Sequence, residues 1–98
     1  MAADVLLANA KVDTIGPDIT IRMIGSQSPP VKMSVQIAIT GTATVEIQGR
    51  LHKNAPWARI GSYRESCLAY IDPILSLRAV STETGADSSV SVWAAWGI

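Results

Sequence analysis

Residues 34–51 read SVQIAITGTATVEIQGRL and hold two neighbouring segments of the same period with a turn between them. Val35, Ile37 and Ile39 alternate with Gln36, Ala38 and Thr40, Gly41-Thr42 interrupts, and Val45, Ile47 and Gly49 alternate with Glu46, Gln48 and Arg50. Side chains along a strand point to opposite faces with period two, so each segment has one apolar face and one bearing Gln, Thr, Glu or Arg. The pattern predicts a β-hairpin. Its apolar face must be buried against further strands, and the rest of the chain is read as their source.

Working outward, residues 52–56 (HKNAP) have the Asn and Pro of a loop, and residues 57–60 (WARI) make a short strand that Gly61 ends. Residues 67–71 (CLAYI) have the composition of a buried sandwich strand, and Asp72-Pro73 then turns the chain. Residues 74–82 (ILSLRAVST) are apolar on both parities except for Arg78, which suggests a central strand. Gly85 offers a positive φ in the turn at 84–88, after which Val90, Val92 and Ala94 alternate with Ser89, Ser91 and Trp93 in a closing strand.

On the N-terminal side, residues 5–12 (VLLANAKV) fit a short strand or a helical turn, and the reading adopted is a strand or extended arm. Gly16-Pro17 breaks the chain, and Ile19, Ile21 and Met23 alternate with Thr20 and Arg22 up to Gly25. Residues 26–30 (SQSPP) read as an extended polar linker, since proline holds its predecessor in β or polyproline geometry. The expected fold is a single all-β domain, a small β-sandwich or jelly-roll-like unit of seven to eight short strands. Residues 1–30 are its extended N-terminal segment or arm, with one or two strands, and residues 31–98 its core.

At 98 residues there is room for one core. Charged residues make up 16%, against roughly 25% in typical soluble domains, which hints at surface hidden against partners. Lys+Arg and Asp+Glu number 8 each, so no net field draws in nucleic acid or anionic lipid. The one cysteine, Cys67, builds no disulfide framework and suits a reducing compartment of synthesis. The opening MAADVLLANA has neither the basic start of a signal peptide nor the roughly 20 apolar residues of a membrane span, so no membrane association is expected.

No catalytic, cofactor or metal motif is found. His52, the one histidine, reads as a loop residue, and Cys67 as a packing residue in an apolar strand, although the two could be imagined as base and nucleophile. The eight carboxylates are scattered across strands and turns without metal-loop spacing. Arg22, Arg50, Arg59, Arg64 and Arg78 could pair across strands with Glu46 or Glu65. Trp57 is expected in the core. Trp93 points away from the inward set of the closing strand, and Trp96 and Ile98 lie at a terminus that should be polar. These three are the candidate interaction residues, exposed tryptophan being enriched among interface anchors, unless that strand is buried on both faces.

The hairpin, the W-x-x-I strand at WARI, the DP turn, the strand ILSLRAV with its central Arg, and the ending ETGADSSVSVWAAW together resemble the small β-sandwich virion proteins of tailed bacteriophages. Head decoration (cement) proteins and neck or tail components show similar successions. The resemblance covers residues 35–96, about two thirds of the chain, and rests on a pattern without an invariant motif. It implies a structural protein without enzymatic activity or cofactor, made in the host cytoplasm and located in the virion. It further implies a symmetric homo-oligomer, a trimer being favoured, whose partner is the major capsid protein or another virion protein. A neck or tail ring or fibre subunit is the alternative within that class, and a glycan-binding β-sandwich the alternative outside it.

Overall fold

The computed structural model describes residues 2–20, 33–72, 74 and 76–96. These residues contain nine strands in chain order: β1 (Ala2–Ala10), β2 (Thr14–Ile15), β3 (Ile19–Thr20), β4 (Met33–Thr40), β5 (Thr44–Arg50), β6 (Ala58–Tyr63), β7 (Cys67–Ile71), β8 (Ser76–Thr82) and β9 (Ser89–Trp96). No helix occurs among the described residues. The strands form two antiparallel sheets, as expected of a β-sandwich. The front sheet has the order β1-β9-β4-β7 and the back sheet β2-β8-β5-β6, with β3 also paired to β8. The count exceeds the expected seven to eight because a short strand, β2, precedes the Gly16-Pro17 break that separates it from β3. Ile21, Met23 and the 26–30 linker lie outside the described residues.

The expected hairpin is not one. β4 lies in the front sheet between β9 and β7, and β5 lies in the back sheet between β8 and β6. The chain at Gly41–Ala43 therefore crosses the sandwich as an arch. Met33, Val35 and Ile37 face inward from one sheet and Val45 and Ile47 from the other, each 0 or 1% exposed. Period-two alternation had identified these faces correctly, but the same alternation serves two strands side by side or two strands face to face. The turn decides between them. Gly41 has φ 84° and Ala43 is buried. The Thr42 amide donates to Ser88 Oγ at 2.9 Å, and the Thr42 carbonyl accepts from the Gly85 amide at 2.9 Å. The polar groups of this turn are thus met by the neighbouring turn, not by a ladder between β4 and β5.

The same construction recurs along the chain. The pairs β1/β2, β8/β9 and β6/β7 each place one strand in each sheet, and the two sheet orders run in step. With both sheets antiparallel, the molecule is a stack of four arches whose turns gather at one end. Two buried serines hold three of these turns together. Ser81 Oγ accepts from the Thr14 amide at 3.0 Å and donates to the Val12 carbonyl at 3.3 Å, while Ser88 Oγ receives Thr42. Asp13 Oδ1 accepts from the Thr84 amide at 2.9 Å. In the β8–β9 turn the left-handed positions are Glu83 (φ 53°) and Asp87 (φ 59°), not the expected Gly85.

Residues 2–20 supply core strands and edges. β1 pairs with β9 and buries Leu6 and Leu7, while the Gly16 amide donates to the Ala79 carbonyl at 2.9 Å. A side chain at Gly16 would run into the Leu6 carbonyl, so glycine lets β1 and β8 close on each other there. Each fully buried aliphatic side chain contributes about 1.5–3 kcal/mol, and β1 therefore holds a real share of the stability. β6 continues through Gly61 to Tyr63, beyond the expected end of WARI.

Two outcomes follow from the arch ends. Ser81→Ala and Ser88→Ala each strip a part-buried backbone amide of its acceptor and are expected to cost about 1 kcal/mol in denaturant unfolding. Ser62→Ala, at an exposed position, is expected to stay within about 0.5 kcal/mol, and equal behaviour of all three variants would contradict the arch contacts. The hydrogen bond from the Thr84 amide holds the Asp13 carboxyl below its ordinary value. Its stabilising effect is then present above the unfolded-state pKa and lost as pH falls through the lower folded one. The melting-temperature gap between the native chain and Asp13→Asn should be open at pH 6 and close towards about pH 2; a gap independent of pH would contradict the assignment.

Candidate functional site

The two outer faces of the sandwich differ in chemistry. On the front sheet the cross-strand register sets Val5 of β1 beside Trp93 of β9, Trp93 beside Gln36 of β4, and Gln36 beside Leu68 of β7. The adjacent row runs from Ala95 through Ser34 to Tyr70. Val5, Leu68, Tyr70 and Trp93 are 43%, 56%, 65% and 41% exposed. The remaining outward positions of β4 and β9 are Ala38, Thr40, Ser89 and Ser91, so the described outward positions of β4, β7 and β9 carry no charge. This flat face is apolar and hydroxylic with aromatic side chains standing from it.

Of the three candidate interaction residues, Trp93 stands on this face, as its parity indicated. Trp96 has the inward parity of Val92 and Ala94 and packs, half-buried, against the core. Ile98 lies outside the described residues. Leu68 and Tyr70 were missed because CLAYI, apolar on both parities, reads as a buried strand. It is an edge strand instead, with one apolar row facing solvent. The signal available was its length, five residues beside eight in β4.

The back sheet turns a polar network outward. Arg78 Nε donates to Gln48 Oε1 at 2.7 Å, and Gln48 Nε2 donates to Glu46 Oε1 at 2.8 Å. The guanidinium carbons of Arg50 and Arg78 lie 4.3 and 4.4 Å from the centre of the Trp57 ring. Trp57 is therefore not a core residue. Its indole covers two arginines whose charge the ring face attracts. Arg50 also stands 3.6 Å from Asp18, a half-exposed pair of little energetic weight. Among the described residues the expected arginine–glutamate pairs do not form: Gln48 stands between Arg78 and Glu46, Arg50 pairs with Asp18, and Arg22 lies outside the described residues.

His52 and Cys67 do not come together, and no catalytic constellation assembles among the described residues. His52 is exposed, with its Nδ1 accepting from the Asn54 amide at 3.1 Å in the β5–β6 loop. Cys67 is half-buried on the inward side of β7, opposite Ile37. They lie at opposite ends of the sandwich, since the β5–β6 loop is at the end away from the arch turns and Cys67 follows one of those turns. Among the described residues no three His, Cys, Asp or Glu side chains group as metal ligands, and no helix is long and apolar enough to cross a membrane. An apolar groove of about 490 Å³ between β1 and β2, walled by Val5, Leu7, Ile15 and Pro17, contains no titratable side chain. The front face is the best-defined candidate surface, and its chemistry suits noncovalent contact. No family model, curated protein or solved structure matches the chain.

Proposed function

We propose that this chain is a virion structural protein, a head decoration (cement) protein of a tailed bacteriophage that stabilises the shell by bridging neighbouring coat subunits. The observation that carries the reading is the uncharged front face with Trp93 standing from it. An apolar face without charges can be buried against a coat protein with little desolvation cost, and aromatic side chains are the usual anchors of such contacts. Symmetry then multiplies one modest contact over the lattice, and avidity replaces affinity. The charged back face, with its network from Glu46 to Arg78, is left to solvent. The protein acts in the virion after synthesis in the host cytoplasm, and no step of this role needs a catalytic residue or cofactor.

A second reading draws on Trp93 and Tyr70 together. They stand two strands apart and one row along, about 12 Å from each other, with Gln36 and Ser34 between, an arrangement on which sugar rings can stack and hydrogen-bond. Tryptophan fluorescence against a glycan panel separates the two readings, because only the second expects a change.

The decoration reading is tested by cosedimentation of the purified chain with heads of the phage that encodes it. The native chain is expected to saturate the heads, Trp93→Glu to bind at least about tenfold more weakly, and Arg59→Ala, on the back sheet, to bind as the native chain does. Absence of binding by the native chain, or native binding by Trp93→Glu, would overturn the reading.

A further inference from the structure

A sandwich has four sheet edges, and three of them here are blunted. β1 carries register shifts on both sides of Leu7 and a left-handed Asn9. The β2–β3 edge is broken at Gly16-Pro17. β6 is bulged opposite Ile47 and Gln48 and carries Arg59. Breaks, bulges and charges of this kind keep edges from pairing with other chains. β7 has none of them. Its five residues pair with Met33–Ile37 of β4 without a register shift, include no charge or proline, and among the described residues have no partner on the other side.

The sequence of β7, Cys-Leu-Ala-Tyr-Ile, is complementary to itself when reversed. We propose that the β7 edge pairs with β7 of a second copy, antiparallel and centred on Ala69, joining two front sheets into one of eight strands. In this register the smallest residue meets itself on the two-fold axis. Leu68 faces Tyr70 of the second copy twice on the outer side, an aliphatic–aromatic pair of the kind that stabilises sheets. Cys67 faces Ile71 on the inner side. Asp72 comes opposite Ser66, beside the Arg64-Glu65 loop, so the charges at the ends of the seam are of mixed sign. The contact is isologous and closes at two copies. Its ladder of five residues is about 17 Å long, short for the roughly 1,600 Å² of a standard stable interface, so the dimer is weak and concentration-dependent. Cys67 residues of the two copies stand about 14 Å apart along the seam, beyond disulfide reach, and reductant leaves the dimer intact.

The inference stands apart from the virion reading, since it concerns the free protein. Sedimentation equilibrium of the purified full chain from about 10 µM to 1 mM, in reductant, tests it. A monomer–dimer equilibrium is expected. Leu68→Lys with Tyr70→Lys sets like charges opposite each other and is expected to weaken the dimer at least tenfold. Leu68→Lys with Tyr70→Glu sets opposite charges facing and is expected to dimerise at least tenfold more tightly than the Lys/Lys variant. Both positions are exposed in the single copy, and unchanged far-ultraviolet circular dichroism confirms that each variant folds. A monomer throughout the range, a trimer, a native-like dimer of the Lys/Lys variant, or equal loss in both double variants would overturn the proposed register.

Discussion

The structure depends on crossing from one sheet to the other at every arch turn. Two apolar faces, one from each sheet, can be buried only against each other, and each crossing takes backbone amides and carbonyls away from the strand ladders. Buried unpaired groups of this kind are costly, so the turns must supply partners. Stacking the four turns at one end solves the problem locally. Ser81 and Ser88, both buried, accept the amides of Thr14 and Thr42, and the Asp13 carboxylate takes that of Thr84. Ser81 and Ser88 are the buried serines at that end, a third, Ser76, is buried at the opposite end of β8, and Val35, Ile37, Val45, Ile47, Val90 and Val92 form the aliphatic core between them.

This arrangement leaves the outward faces free to differ. β5 and β8 turn Glu46, Gln48, Arg50 and Arg78 outward, and these find partners in one another and in Trp57. β4, β7 and β9 turn out Gln36, Leu68, Tyr70, Trp93 and small residues, none of them charged, and among the described residues nothing covers that face. The charges that strands β5 and β8 carry thus stand on one outer face, and the outward positions of β4, β7 and β9 have none. The functional reading follows this asymmetry and not any single residue.

What was legible in the sequence was the buried side of the strands that alternate, β4, β5 and β9. Val35, Ile37, Val45, Ile47, Val90 and Val92 all face inward as their alternation indicated, and Trp93 faces outward for the same reason. Which strands would neighbour each other was not legible, because period two is indifferent to pairing and the decision rests on Ser88 and Gly85, more than forty residues from Thr42 in the chain. Trp57 was misplaced by its hydrophobicity, since an indole beside two guanidinium groups has as good a reason to be half-buried as one in a core. Leu68 and Tyr70 were misplaced because an apolar edge strand and a buried strand share a composition, and the difference lies in having one neighbour instead of two.

The central claim is that residues 34–51 form an arch across the sandwich and not a hairpin within one sheet. Nuclear Overhauser contacts between backbone protons of β4 and β5 and their neighbours test it most directly. The arch predicts cross-strand contacts at Val35–Ala94 and Ile47–Ala79, with no ladder joining β4 to β5. A regular ladder of contacts running from Thr40–Thr44 back through Ile37–Ile47 would contradict it.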